Sequence, residues 1–470
     1  MGGEPAVLGI DVGQSGTRAE VIDITGRLLG SADIPMRLDI TPGRAEQDVS
    51  AWIDAVYAAC QSAVAASGCC ELAGICAGAL GPAPVLLDDD QHPLAPAILY
   101  RLDNRSEQQR RRLENLTGQR VSADHAVPRL HWWRESHPDL WYRTRTVVDV
   151  TGAIVSALTG RAVLDSVTAG EYYDIDGMPA DDDLRLAQRC EPACTAGALT
   201  PYAAGQLGVA AGVPVLAGTI DSFLDLFAAG VRRPGDGGIV AGSTAVVGLA
   251  ASGDVQERAQ RAGLAVSSYL GTGSLVLDWT GAAGSALAWA AELFGTEREE
   301  LDRLAAQLQP GAGGLVALPG LAPRRDGTGL AAFSGLSLAT SRAEIYRAVV
   351  DAVAIEIAGM TGRCASAVGS PPLWHAWGGA FRSAVLTQAV ADCIGSALAL
   401  PAGPGRVAAA EVARQVLLGG SPDERRTFVE PDPGMHTAML ALAAKSAALA
   451  ESLTGRTMSN PVTDVGRTST

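Results

Sequence analysis

A hairpin with the same chemistry at its tip occurs twice in this chain, once at the start and once just past the middle. Residues 6–10 are an apolar run that reads as a short strand. Asp11-Val12-Gly13-Gln14-Ser15-Gly16-Thr17 is a tight polar turn, and residues 19–22 read as the returning strand. The scheme recurs in residues 238–241, the turn Gly242-Ser243-Thr244 and residues 246–249. Two hairpin tips sized to face a phosphate, one in each half, point to structural duplication.

A chain of 470 residues exceeds what one hydrophobic core usually serves, which agrees with two domains. Its densest turn chemistry, Arg232-Arg233-Pro234-Gly235-Asp236-Gly237-Gly238, places the boundary. The expected division is an N-terminal domain over 1–233, a C-terminal domain over 238–454 and a flexible tail over 455–470, rich in Ser, Thr, Asn and Gly. A ligand site is expected between the two domains.

The first domain continues with a turn at Thr25-Gly26 and a third strand ending near Ile34. Asp48 then caps a helix that buries Trp52, Ala55, Val56, Ala59, Cys60, Ala63 and Val64 along one face. Residues 72–76 read as a fourth strand. Strand, strand, strand, helix, strand is how a ribonuclease-H-like domain begins. The expected fold class is therefore α/β, with two ribonuclease-H-like (actin/hexokinase-like) domains and a ligand cleft between them.

Acids outnumber bases 51 to 36 and the bases form no dense patch, which argues against nucleic acid as a partner. The opening residues enter a strand pattern without a basic and then apolar leader, and no apolar run reaches bilayer length. A cytoplasmic protein that does not engage the membrane is expected. The 8 cysteines lack paired metal-binding spacing and read as small buried hydrophobes, and the 6 histidines form no HExxH pattern.

Asp11, Gly13, Ser15, Gly16 and Thr17 bring small side chains and backbone N–H groups together where an anion could approach. Asp11, ending a buried strand, is placed to hold a hydrated Mg²⁺, which usually takes only one or two carboxylates. The same residues also describe an ordinary β-turn. Gly242-Ser243-Thr244 offers hydroxyls to a second phosphate. Residues 214–221 read as a strand ending in an acid, with a helix over 222–229. Asp221 is then either a helix N-cap or a base that takes the proton of an attacking hydroxyl. Gly378-Gly379-Ala380 is either a flat surface for a purine or a strand-to-helix turn. The runs Asp88-Asp89-Asp90 and Asp181-Asp182-Asp183 read as solvated loops.

Taken in order, these segments resemble the FGGY carbohydrate kinases from Gly9 to about Leu449. Residues 9–18, Gly-Ile-Asp-Val-Gly-Gln-Ser-Gly-Thr-Arg, are similar to the family's first phosphate motif. Glu46-Gln47-Asp48 with Trp52 resembles its following helix entry, and Pro128-Arg129-Leu130-His131-Trp132-Trp133 its tryptophan-bearing segment. Gly218-Thr219-Ile220-Asp221 is similar to the segment that holds the general base. Gly242-Ser243-Thr244 resembles the second phosphate motif with Ser and Thr interchanged. Gly284 with Trp289, and Gly378-Gly379-Ala380 with Arg382-Ser383, resemble the nucleotide-side glycines, and residues 428–433 the closing stretch.

The resemblance implies ATP bound by Asp11, Gly13, Ser15, Gly16, Thr17, Arg18, Gly242, Ser243, Thr244, Gly284, Gly378, Gly379 and Ala380, with Mg²⁺ at Asp11. It implies Asp221 as catalytic base, and an acceptor held by Gly78, Ala79, Arg101, Asp103, Asp221 and Ser222. The implied reaction is ATP-dependent phosphorylation of a hydroxyl on a small sugar or polyol, of the pentulose or hexulose class or an anionic analogue. The C-terminal domain would carry the second phosphate and adenosine motifs. A homodimer is one assembly consistent with it. Three departures fall on the acceptor side. Gly78-Ala79-Leu80-Gly81 stands where xylulokinases carry Gln-Met-His-Gly, Arg101 replaces the Trp of Trp-x-Asp-x-Arg, and Pro323-Arg324-Arg325-Asp326 replaces Glu-Arg-Thr-Pro. A non-catalytic nucleotide and sugar sensor, or an ATPase that activates a partner, stays open on the same fold.

Overall fold

The computed structural model describes residues 5–37, 39–69, 71–100, 102–118, 121–122, 124–173, 182–270, 273–321, 330–401, 407–419 and 426–454. The chain divides into two compact units, Met1–Ala228 with Arg406–Glu424, and Ala229–Gly405 with Arg425–Thr470.

In the first unit, β1 (Ala6–Val12), β2 (Gly16–Asp23) and β3 (Leu28–Pro35) form an antiparallel meander. Helix α1 (Val49–Ser67) follows, with the Asp48 side chain accepting the Ser50 N–H at 2.9 Å as the sequence predicts. All seven side chains expected on its inner face are buried. The next long strand, β4 (Leu72–Ala79), lies parallel to β1 and runs three residues further than its apolar pattern indicates. Farther along come β5 (Pro84–Leu87), α2 (Val127–Ser136), β6 (Thr146–Asp149), α3 (Val150–Thr159), β7 (Val163–Asp165), α4 (Ser166–Tyr173) and β8 (Thr195–Ala198). Then follow β9 (Pro214–Leu216), β10 (Thr219–Ile220) and α5 (Asp221–Ala229). The seven-stranded sheet runs β8-β9-β4-β1-β2-β3, with β10 also paired to β4.

The strand expected over 214–221 is in fact two. Gly218 has φ 66°, a left-handed conformation that breaks extended pairing, and a Cβ there would meet the Ala77 carbonyl oxygen at 1.9 Å. The break lets β9 pair with the middle of β4 and β10 pair with its end, at Gly78 and Ala79.

The second unit repeats the plan. Here β11 (Gly237–Ala241) and β12 (Ala245–Ala251) form the hairpin, followed by β13 (Ala265–Ser268), β14 (Ser274–Thr280) and α6 (Gly284–Phe294). The long α7 (Arg342–Val368) begins at a reciprocal Ser341/Glu344 capping box. After it come β15 (Trp374–Trp377), α8 (Ala384–Ile394), β16 (Leu398–Pro401), α9 (Ala408–Leu418), β17 (Arg426–Val429) and α10 (Pro433–Thr454). The sheet order is β13-β14-β12-β11-β15-β16-β17, with β15 parallel to β11 as β4 is to β1. Each sheet thus has a hairpin, a third antiparallel strand and a parallel partner beside the first. Both units are ribonuclease-H-like.

Helix α9 falls within the 238–454 span read as the second domain, yet it packs with the first unit. Its buried face, Ala408, Ala409, Ala410, Val412 and Ala413, lies on β1 and β4. Gly9 and Gly74 make the approach possible, since a Cβ at Gly9 would stand 2.1 Å from the Ala410 nitrogen and one at Gly74 2.0 Å from Leu417. Arg414 pairs with Glu411 in the interior and donates to the Ile24 carbonyl at 2.9 Å, while Glu20 accepts the Val407 N–H. With α1 against β2 and β3, the central strands are covered on both faces, which explains why β1 is apolar almost throughout. Among the described residues no helix is long and apolar enough to cross a membrane.

Candidate active site

In the first unit, three parallel strands end side by side. Asp11 is in register with Gly78 and Val12 with Ala79, while Thr219 and Ile220 take the same two partners from the other side. The structure therefore brings Asp11, Gly13, Gly78 and Asp221 to one end of the sheet, where open α/β sheets bind ligands. Gly78 is needed there. A Cβ on it would lie 2.7 Å from Leu224 and 3.6 Å from the Asp221 Cα.

The first hairpin tip is a closed turn in which Gly13 N–H donates to the Gly16 carbonyl at 3.0 Å and Met36 N–H to Ser15 at 2.9 Å. Ser15 and Arg18 are exposed, whereas Thr17 is buried and its hydroxyl meets the Met36 sulfur at 3.4 Å. Of the two hydroxyls predicted at this tip, only Ser15 is presented outward. Asp11 has a side chain 28% exposed with the Arg18 guanidinium 3.7 Å away. Burial raises its carboxyl above the usual range; Arg18 pulls it back and Asp33 pushes it up. Among the described residues no group of three or more His, Cys, Asp or Glu could hold a metal. One carboxylate suits Mg²⁺, which keeps most of its waters and leans on substrate phosphates.

Asp221 stands in the first turn of α5 as a helical residue, and its carboxylate accepts the Ser222 N–H at 2.6 Å. Both residues are partly exposed.

The acceptor-side expectations fare differently. Ala79 and Leu80 are fully buried, so these two departures from the xylulokinase pattern are core packing. Asp103 is also enclosed. Its carboxylate accepts the Ala45 N–H at 2.9 Å and pairs with Arg105 at 2.7 Å, while Arg105 reaches Glu46 at 2.9 Å and stacks 4.9 Å over Trp132. Asp103 thus ties together the segments around residues 45, 105 and 132. Arg101 and the stretch 323–326 lie outside the described residues.

In the second unit, Gly242, Ser243 and Thr244 form an exposed tip docked on the start of α6. Gly242 and Ser243 carbonyls accept the N–H groups of Gly284 and Ala283, both at 2.9 Å. A Cβ on Gly284 would lie 2.4 Å from the Gly242 oxygen and 3.5 Å from Ala380 Cβ. Gly378, with φ 109°, backs onto the Ala241 carbonyl, whereas a Cβ on Gly379 would meet open space. The predicted nucleotide-side residues of this half are therefore brought together. Arg298, not singled out in the sequence, donates to the Ala380 carbonyl at 3.2 Å.

Sequence reasoning also missed a buried polar group beside β10 and the turn that follows β4. Asp149 accepts from the Ala83 N–H at 2.7 Å and from Tyr172 at 2.8 Å, while Asp165 accepts from Thr219 at 2.6 Å. The one available signal was an Asp directly before an apolar helical run in each case, which reads equally as a cap. Burial pushes the Asp149 carboxyl up to about 7, against the pull of Tyr172 and the Ala83 N–H. The folded protein therefore keeps a proton there that the unfolded chain releases near pH ~4. Stability from this group is present at acid pH and is lost as pH rises toward 7. In urea titrations from pH 4 to 7, Asp149→Asn is expected to lose less stability than wild type; parallel curves would rule the shift out.

Two ribonuclease-H-like units, each with a polar hairpin tip at the end of its parallel strands, define the actin/hexokinase-like class. The N-terminal domain of the FGGY family of carbohydrate kinases matches residues 6–228, and its C-terminal domain matches 237–409. The chain belongs to the FGGY family of carbohydrate kinases. The crystal structure of xylulose kinase from Rhodospirillum rubrum superposes with a TM-score of 0.80 at 27% identity, covering 95% of this chain and 99% of that one. The L-xylulose/3-keto-L-gulonate kinase of Escherichia coli (strain K12) is 26% identical over 422 residues, 84% of each chain. The L-fuculokinase of the same strain is 23% identical over 388 residues, 75% of this chain and 79% of the relative. The protein is a kinase, and ATP-dependent phosphorylation of a sugar is its chemistry.

Proposed function

We propose that the protein transfers the γ-phosphoryl group of ATP to a hydroxyl of a pentulose or hexulose, with Asp221 as general base. The observation that carries this reading is the register of β1, β4 and β10, which sets Asp221 at the same sheet end as the Asp11 to Gly16 tip. The acceptor oxygen attacks the γ-phosphorus in line, its proton passes to the Asp221 carboxylate, and the bond to the β-phosphate oxygen breaks to release ADP. Backbone N–H groups at the exposed tips, with Ser15, Ser243 and Thr244, orient the phosphates, and Arg18 adds a fixed cation beside them. Mg²⁺, held at Asp11, would neutralise phosphate charge when bound. Gly284, Gly378, Gly379 and Ala380 offer a small-residue surface to adenosine. Ser222 borders the acceptor. A coupled ADP-release screen across pentuloses, hexuloses, polyols and aldonic acids tests the reading; acceptor-independent ADP release throughout would contradict it.

A second reading of the acceptor, an anionic sugar, has one motive in the sequence and one among the relatives. Arg101 brings a fixed cation with five donors where the family carries an indole. One relative's name includes 3-keto-L-gulonate, a sugar acid. Arg101→Trp is expected to lower kcat/KM for anionic acceptors relative to neutral ones by ~10-fold, the scale of one charge-assisted hydrogen bond. An unchanged ratio removes Arg101 from acceptor recognition.

A further inference from the structure

The short strand that leads into Asp221, β10, is joined to the turn after β4 by buried side chains that the reaction above does not use. Thr219, two residues before Asp221, is fully buried, and its hydroxyl donates to the Asp165 carboxylate at 2.6 Å. The same carboxylate oxygen accepts the N–H groups of Val167 and Thr168, at 3.1 and 2.9 Å, and so also fixes the start of α4. Near the other end of α4, the Tyr172 hydroxyl donates to Asp149 at 2.8 Å. Asp149 in turn accepts the Ala83 N–H, and its second oxygen lies 2.8 Å from where a Gly81 Cβ would stand. Arg129, from α2, donates to the Pro82 carbonyl at 2.9 Å. The eight-residue helix α4 is thus bonded at its start to β10, the strand just before Asp221, and near its end to the turn that follows β4.

Buried carboxylates are a costly way to fill a core. Burial pushes both Asp149 and Asp165 above their usual range. Hydrogen bonds accepted by such groups fix one geometry where apolar packing would tolerate several. A base needs that, since a displacement of about 1 Å can cost ~10²-fold in rate.

We propose that Asp165, Tyr172 and Asp149 are positioning residues which, through helix Ser166–Tyr173, hold the Asp221 carboxylate in register with the end of β4 and the turn Leu80–Ala83 that follows it. The proposal rests on Asp221 being the base. It separates the work of binding nucleotide from the work of aligning the acceptor hydroxyl, so its loss falls on kcat.

Thr219→Val removes the donor at nearly constant shape, Thr219→Ser keeps it, and Tyr172→Phe deletes one oxygen at the far end of the helix. Initial rates are measured with ATP and acceptor varied in turn, beside Asp221→Asn, with folding checked by circular dichroism. The expected result is a kcat lowered ~10-fold or more in Thr219→Val and Tyr172→Phe, a KM for ATP within twofold of wild type, and recovery in Thr219→Ser. Wild-type kcat in folded Thr219→Val and Tyr172→Phe, or a Thr219→Ser as slow as Thr219→Val, overturns the positioning role. If Asp221→Asn is inactive in that same experiment, the base assignment survives the failure. If Asp221→Asn turns over normally, the base assignment fails and the proposal with it.

Discussion

Asp221→Asn is expected to lose phosphoryl transfer by ~10²–10⁴-fold, the usual cost of removing a positioned base, while binding ATP nearly as well as wild type. The asymmetry follows from what the side chain would touch. Its carboxylate acts on the acceptor hydroxyl, and Asn preserves both its shape and the oxygen that accepts the Ser222 N–H. Steady-state rates with a competent sugar, together with calorimetric titration of a non-hydrolysable ATP analogue, separate the two effects. Near-normal turnover would move the base elsewhere, and Asp225, one helical turn along α5 and partly exposed, is the next candidate.

Asp11→Ala should act on the opposite side of the reaction. Loss of even an outer partner that orients a metal's ligands typically costs ~10–100-fold in affinity, so removing Asp11 should raise the Mg²⁺ concentration for half-maximal turnover ~10-fold or more. Acceptor binding should hold, because Asp11 is assigned to the metal and phosphates. The substitution also leaves Arg18, 3.7 Å away, with Asp33 at 3.3 Å as its remaining ion-pair partner, so the hairpin tip keeps part of its charge balance. Titrating acceptor into the variant by calorimetry checks the assignment. Unchanged Mg²⁺ dependence with lost acceptor binding would reverse it.

The hairpins and α1 were legible because their information is local. A polar tip with glycines between two apolar runs, and an Asp before a stripe of buried side chains, need no knowledge of the rest of the chain. Local pattern could not show that Gly218 breaks an apolar run into two strands, because the Ala77 carbonyl that leaves no room for a side chain there comes from far earlier in the chain. Nor could it show which sheet α9 covers. Its alanines fit either one, and the choice is made by Gly9 and Gly74 hundreds of residues earlier.

The candidate site divides the same way. Asp11, Asp221 and the nucleotide-side glycines stood out as motif positions with particular residue types at fixed spacings, whereas Gly78 stood out only as a departure from the xylulokinase pattern. Motif position does not report side-chain direction, however. Thr17 turns inward to Met36, Ala79 and Leu80 pack in the core, and Asp103 is taken up by Arg105 and the Ala45 N–H. Asp149, Asp165 and Tyr172 were invisible for a related reason. A buried carboxylate is defined by partners distant in sequence, here Ala83 and Thr219.

The central claim is transfer of phosphate to a sugar hydroxyl assisted by Asp221, and tracing the label from γ-³²P-ATP tests it most directly. Wild-type protein with a panel of ketoses should move label into a sugar phosphate, and Asp221→Asn should leave it in ATP. Label that accumulates only as inorganic phosphate, at a rate indifferent to both the sugar and the substitution, would contradict the account.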